Sequence, residues 1–249
     1  MARKKKHNKR RRKGRFAAFY RVLCLVLIVA AMGAAVAVFF KADHLEISGN
    51  KRYSNQEIIE ASGVETGSNL YSINKYKVAG QITAALPYVE SVRIYRRLPD
   101  TLCMEVNECT DLVAIRQDGK DWLMSYTGKL VEETAASKEH AAVTGLTLLE
   151  PKTGMAQTDE EHAAALRQLL DLTGQLQVKG MLGDVQEIHL EDPHVITLRY
   201  LDRFNVELPW NADLDYKLDF LIAVVEKLEG YEKGTLKLTE DGEAHFIME

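Results

Sequence analysis

Residues 86–108, LPYVESVRIYRRLPDTLCMEVNE, carry the pattern that decides the fold of the chain's middle. Pro87 stops the helix before it, because proline lacks an N–H and disfavours helical backbone in the residue it follows. Beyond it Val92 and Ile94 alternate with Arg93 and Tyr95, and Leu102, Met104 and Val106 alternate with Cys103, Glu105 and Asn107. Successive strand side chains point to opposite faces, so the alternation predicts strands over 89–96 and 101–108. One face should be covered by helices and the other, polar face should meet water. Leu98-Pro99-Asp100 suits the turn of this hairpin.

Upstream, Leu45-Glu46-Ile47 alternates and stops at Gly49-Asn50, a pair that tolerates positive φ. Ser54-Asn55-Gln56-Glu57 has the form of a capping box opening a short helix through Ile58, Ile59 and Ala61, which Gly63 can close. A second helix is expected over 72–86, with Val78, Ile82, Ala85 and Leu86 on one face. The order is strand, helix, helix, strand, strand.

Downstream, strands at 112–115 and 122–125 straddle Asp118-Gly119, a strong hairpin signal, and Thr127-Gly128 makes the next turn. Thr158-Asp159-Glu160-Glu161 reads as a capping box that starts a helix carrying Leu166, Leu169, Leu170, Thr173 and Leu176. Strands at 185–190, 195–201 and 204–208, reversed at Asp192-Pro193 and Asp202-Arg203, predict an antiparallel meander. A helix over 212–228 shows Leu214, Leu218, Leu221, Ile222, Val225 and Leu228 on one face and ends at Gly230. Strands at 235–238 and 244–248 follow, across Asp241-Gly242. The fold class is α+β, with an antiparallel sheet and two packing helices in this second part.

The N-terminus is of another kind. Residues 1–21 hold eleven Lys and Arg and no acidic residue. Of 32 basic residues in all, leaving out these eleven and Lys41 gives 20 against 36 acidic from Ala42 onward, a balance of −16. Between these halves, 22–40 has no charged side chain, and about 20 apolar residues cross a bilayer as a helix. Positive residues are retained on the cytoplasmic side, so residues 42–249 should be exported. The alternative is a cleaved signal peptide with Ala35-Val36-Ala37 at the cut. The apolar run continues past that point through Phe39 and Phe40, which favours a retained anchor. The tail should be disordered and held near anionic headgroups; topology accounts for its charge better than nucleic-acid binding, for which interleaved aromatics and a folded reader are lacking.

Cys24 lies in the apolar run, and Cys103 and Cys109 are about 20 Å apart along one extended segment, so three free thiols are expected. The chain contains no HExxH, CxxC, GxSxG, P-loop or GxGxxG, and its seven histidines are scattered. Glu132-Glu133, Glu160-Glu161 and Glu191-Asp192 sit at expected turns or helix starts, where carboxylates are usually solvated or capping. Arg93, Arg96 and Arg97 beside Glu105 and Glu108 read as a solubilising sheet face. No catalytic residue, metal, cofactor or small-molecule substrate is expected.

The order LEISGNKRYSNQEII at 45–59, Gly67-Ser68-Asn69-Leu70, LPYVESVRIYRRLPDTLCMEVNE at 86–108, VTGL at 143–146, Tyr216-Lys217-Leu218 and GTLKLTEDGEAHFI at 234–247 resembles the FtsQ/DivIB family of division proteins. The resemblance implies a basic cytoplasmic tail (1–21), a transmembrane helix (22–41), a POTRA domain (42–110) and a β-domain (111–249). It implies a non-enzymatic divisome scaffold in the cell membrane at the septum, with FtsL-like and FtsB/DivIC-like bitopic partners. The family's usual Glu-x-x-Pro-x-Ala is replaced by Glu108-Cys109-Thr110-Asp111-Leu112-Val113-Ala114, without the proline, so the resemblance does not extend to the geometry of the interdomain hinge. Strand addition beside the last strand carries over to Ala244, His245, Phe246 and Ile247, and Lys217 of the last helix is a further candidate partner-binding residue. Phe246→Asp is expected to weaken partner association and leave the fold intact. An exported POTRA module for translocation or assembly, and a membrane-anchored envelope enzyme with a deep pocket, are the alternatives.

Overall fold

In the computed structural model, residues 14–239 and 243–248 are described; residues 1–13 of the basic tail and the Asp241-Gly242 reversal lie outside them. The apolar run forms α1 (Gly14–Phe39), whose window Phe19–Val36 has a mean hydropathy of 2.3 and buries nothing within the protein. Among the described residues it is the one helix long and apolar enough to cross a membrane. The helix begins eight residues earlier than the expected span, because nothing between Gly14 and Arg21 breaks it.

Strand β1 (His44–Ser48), helices α2 (Asn55–Ser62) and α3 (Lys75–Ala85), and strands β2 (Val89–Arg97) and β3 (Thr101–Glu108) follow in the expected order. The three strands pair as β1-β3-β2, β1 parallel and β2 antiparallel to β3. The capping box closes α2 from both sides: Glu57 N–H donates to Ser54 Oγ (3.3 Å) and Ser54 N–H to Glu57 Oε2 (2.8 Å). Gly63, at φ 61°, ends the helix. Helix α3 starts at Lys75 rather than Ser72, since the Asn74 side chain accepts from Tyr76 N–H and Lys77 N–H and so sets the cap. Ile58, Leu70, Ile82, Val89, Leu102 and Met104 make the core between helices and sheet. Cys103, placed by alternation on the wet face, is only 3% exposed. It lies on the central strand opposite Tyr95 and Glu46, whose side chains cover it.

The second part contains β4 (Leu112–Gln117), β5 (Lys120–Ser125), β6 (Lys129–Ala135), β7 (Ala141–Thr144), β8 (Gly154–Met155), α4 (Ala163–Val178), β9 (Val185–His189), β10 (Val195–Tyr200), β11 (Phe204–Pro209), α5 (Leu214–Val225), β12 (Gly234–Leu238) and β13 (Ala244–Met248). Among the described residues these strands form one sheet of ten, ordered β13-β12-β11-β10-β9-β7-β4-β5-β6-β8. The sheet is mixed rather than purely antiparallel: β4–β7, β7–β9 and β11–β12 pair in parallel. Short β7 carried no alternation to reveal it, and its insertion between β4 and β9 makes two of the parallel joins. Leu169, Leu172 and Leu176 of α4 and Leu214, Leu218 and Leu221 of α5 share one core with Val113, Ile115, Ile188, Ile196, Leu198, Val206 and Leu236.

Two helix ends differ from expectation. Helix α4 begins at Ala163, not Thr158, because Asp159 Oδ1 accepts from His162 N–H (2.9 Å) and holds 160–162 as a turn. Helix α5 ends at Val225 and tightens into the short-range bonds Lys227 N–H to Val224 O and Leu228 N–H to Val225 O, so Gly230 does not cap it.

The junction between the two sheets is packed. Tyr88, Leu112, Ala114, Leu123 and Val131 are buried together, with Tyr53 and Cys109 beside them. Lys129 of β6 reaches across, its Nζ donating to Thr83 O (2.8 Å) and Val89 O (2.9 Å).

Candidate partner-binding edge

The last hairpin lies at one end of the ten-stranded sheet. Strand β13 pairs antiparallel with β12 (Leu236↔Phe246, Lys237↔His245, Leu238↔Ala244), and among the described residues no strand pairs with its other side. Thr239 N–H donates to Glu243 O at 2.9 Å, which makes that pair a hydrogen-bonded one. Hydrogen-bonded and open pairs alternate along an antiparallel ladder, so His245 and Ile247 turn their backbone groups toward β12. The N–H and C=O groups of Ala244, Phe246 and Met248 therefore point outward from the sheet. An open edge of this kind is a template for one more strand.

Side chains alternate too. Ala244 and Phe246 lie on the covered face, and the Phe246 ring meets Phe204 edge to face with centroids 6.2 Å apart. His245 and Ile247 lie on the other face; Ile247 is 52% exposed, and His245 Nε2 is 3.8 Å from Glu243 Oε2. Phe246→Asp would thus strike the core, and the expectation that it leaves the fold intact is corrected: a carboxylate cannot replace a ring packed on Phe204.

Lys217 is buried, and its ammonium donates to Thr239 O while lying 5.6 Å from the Tyr216 ring centroid. It does not face outward with Ile247 but ties α5 to the base of the hairpin. A readable signal existed: Lys217 stands three residues after Leu214 and four before Leu221, on the apolar face of the helix. On the same helix Tyr216 stacks on Phe220 (6.3 Å between centroids); Phe220, and the packing of Phe204 against Phe246, carried no signal in the sequence.

Elsewhere, a cavity of about 410 Å³ is lined by Arg116, Lys138, His140, Glu187, Arg199 and Asp202 among others. Its arginines are engaged: Arg116 with Asp121, Arg199 with Asn205 and the Asp202 carbonyl. Among the described residues no group of three or more His, Cys, Asp or Glu could hold a metal ion. Cys24, Cys103 and Cys109 are free thiols.

Comparison with known proteins places this architecture. Residues 40–108 match the POTRA domain, FtsQ-type, and residues 113–240 match the C-terminal domain of cell division protein FtsQ/DivIB. The chain is 26% identical over 200 residues to the cell division protein FtsQ of Geotalea daltonii, covering 78% of this chain and 70% of that one. It is 25% identical over 216 residues to the cell division protein DivIB of Clostridium botulinum, covering 85% and 83%. The solved major extracytoplasmic domain of the trans isomer of DivIB from Geobacillus stearothermophilus aligns with a TM-score of 0.32 at 17% identity, covering 49% of this chain and 99% of that one. The two family matches take in the β-α-α-β-β unit and nearly all of the ten-stranded unit that ends in the open edge, and on them the chain belongs to the FtsQ/DivIB family of bacterial cell division proteins.

Proposed function

We propose that this protein is a non-enzymatic, bitopic scaffold of the division machinery. Its tail (1–21) lies in the cytoplasm, its span (22–41) in the cell membrane, and its POTRA domain (42–110) and β-domain (111–249) outside the cytoplasm at the septum. Through that outer part it holds FtsL-like and FtsB/DivIC-like bitopic proteins, and β13 takes an extended segment of the FtsB/DivIC-like partner. The observation that carries this reading is the unpaired edge of β13, with the outward backbone groups of Ala244, Phe246 and Met248 and the exposed side chain of Ile247 beside them. Main-chain bonds would supply affinity, and alternate side chains the register. His245 and Ile247 are the positions for side-chain contact; Ala244, Phe246 and Lys217 hold the strand in place. Orientation rests on the eleven cations that precede the span.

The test is a fluorescent fusion in a depletion strain. Midcell fluorescence and unseptated cells on depletion are expected; uniform membrane fluorescence with normal septation would overturn the proposal. Purified ectodomains should bind an FtsB/DivIC-like partner, and Ile247→Asp should reduce that binding at least ten-fold.

A further inference from the structure

We propose that the loop 67–73 and the first turn of α3 form a second membrane contact, which rests on the anionic phospholipid headgroups of the leaflet where α1 ends. The inference depends on α1 crossing a bilayer.

The carbonyls in the last turn of a helix have no partner within it, and near hydrocarbon they must still be satisfied. Val36 closes the apolar window of α1, and its carbonyl accepts from Phe40 N–H (3.2 Å) and from Asn69 Nδ2 (3.0 Å). Leu70 N–H donates to Phe40 O (2.9 Å), and the Phe40 and Tyr71 rings meet edge to face at 5.4 Å. The loop is thus fastened directly to the end of the span, at headgroup depth. Arg96 braces it from behind, donating to Leu70 O (2.6 Å) and Ile73 O (2.9 Å) with its guanidinium 5.5 Å from the Tyr71 ring.

What this surface shows outward fits headgroups. Tyr71 is 52% and Tyr76 91% exposed, and tyrosine is enriched where an apolar ring and a polar tip both find their medium. Lys75 and Lys77 occupy the first turn of α3, where the helix dipole disfavours cations, so helix stability does not account for them. No acidic residue occurs between Glu65 and Glu90, although the chain from Ala42 onward carries a balance of −16. A lysine beside an anionic surface strengthens binding about five-fold.

The full-length protein in nanodiscs tests this, with tryptophan introduced as Tyr76→Trp and, for comparison, as Val178→Trp, an 82% exposed position at the end of α4. Trp122 and Trp210 of the parent protein give the baseline. In discs of phosphatidylglycerol brominated near the glycerol end of its chains, the emission added by Y76W should fall by about half and that added by V178W should stay unchanged. Lys75→Gln with Lys77→Gln should halve that quenching in phosphatidylglycerol and leave it unaltered in phosphatidylcholine. Co-elution with discs and no quenching at position 76, or quenching that needs an added protein, overturns the headgroup contact alone. Equal quenching in both lipids, with and without the lysines, overturns its anionic character. Elution apart from the discs overturns the spanning reading and this contact together.

Discussion

The buried ammonium of Lys217 donates to the carbonyl of Thr239 and so fastens α5 to the point where the β12–β13 hairpin opens. With the Thr239 carbonyl taken, Glu243 N–H turns to Thr239 Oγ1 (3.2 Å), and Thr239 N–H alone continues the ladder to Glu243 O. The shape of the open edge is therefore set partly from a helix. Lys217→Met keeps the length of the side chain and removes the donor. A buried acceptor left unpaired costs about 1–3 kcal/mol. At about 2–4 °C per kcal/mol for a domain of this size, Tm should drop by several degrees. Amide exchange across 244–248 should rise more than across β9–β11; uniform exchange in the variant would show that Lys217 does not position the hairpin.

Phe246 and Ile247 are neighbours that should answer differently to the same substitution. Phe246 packs on Phe204 over the common core, so Phe246→Asp should destabilise the ten-stranded domain by about 3 kcal/mol or more. Ile247 is half exposed on the opposite face, and Ile247→Asp should shift stability by about 0.5 kcal/mol or less. Urea denaturation separates the two. If both unfold at the wild-type urea concentration, Phe246 does not face the core.

The sequence was most legible where local signals agreed. At α2 the capping box, the apolar spacing and Gly63 all marked one helix, and at Asp118-Gly119 both residues take the positive φ (55° and 76°) that a two-residue hairpin requires. It was least legible where long-range pairing decides. Strand β7 is four residues long and mostly buried, so it shows no period, and nothing local reveals that it is inserted between β4 and β9. Capping signals misled when a competing turn was near: the Asp159 carboxylate served His162 instead of opening a helix at Thr158. In the candidate site the last strand was indicated as the binding strand by the family resemblance alone; that it ends the sheet, like the inward aim of Lys217 and the packing of Phe246, depends on elements distant in sequence.

Gly49 illustrates a glycine that geometry demands. It sits at φ 87°, and a Cβ there would come 2.2 Å from the Val106 carbonyl oxygen. Gly49→Ala must therefore move β3 or the end of β1, and a cost of about 2 kcal/mol or more is expected, above the roughly 1 kcal/mol usual for alanine at positive φ. The loss should register in exchange of β1 and β3 amides before those of the ten-stranded sheet. An alanine variant as stable as the parent would show that β1 and β3 part at no cost.

Cys109 is held as a thiol. Burial, then its hydrogen bond to Glu90 Oε2 (2.9 Å), push its pKa from the ordinary value of 9.0 up to about 12. A folded-state pKa above the unfolded one contributes stability that is fully present below pH 9 and is lost as pH rises toward 12. Iodoacetamide at pH 8.5 should modify Cys109 at least ten-fold more slowly in the folded protein than in urea, read by peptide mass spectrometry. Glu90→Gln removes the acceptor charge and should speed that reaction without exposing Cys103, which is buried separately in the three-stranded sheet. Rapid folded-state alkylation would mean that the junction opens.

Asp121 gives the opposite pH signature. Its buried carboxylate accepts from Arg116 Nε (2.9 Å), Arg116 Nη2 (3.2 Å) and Ser137 N–H (3.0 Å), tying β5 to the segment after β6. The Arg116 fork holds its pKa below the ordinary 3.8, with Ser137 helping and burial opposing. A depressed folded-state pKa contributes stability present above pH 3.8 and lost as pH falls through the folded value. Asp121→Asn keeps the shape and removes the charge. With Arg116 partly in solvent, the loss at pH 7 should be about 1–2 kcal/mol, below the upper end for charge-assisted bonds. In urea titrations the gap between parent and variant should narrow as pH falls from 5 to below 3.8, because the unfolded parent then takes up a proton that the ion-paired folded carboxylate resists. A gap that stays constant over that range would assign the effect to packing rather than to the ionised carboxylate.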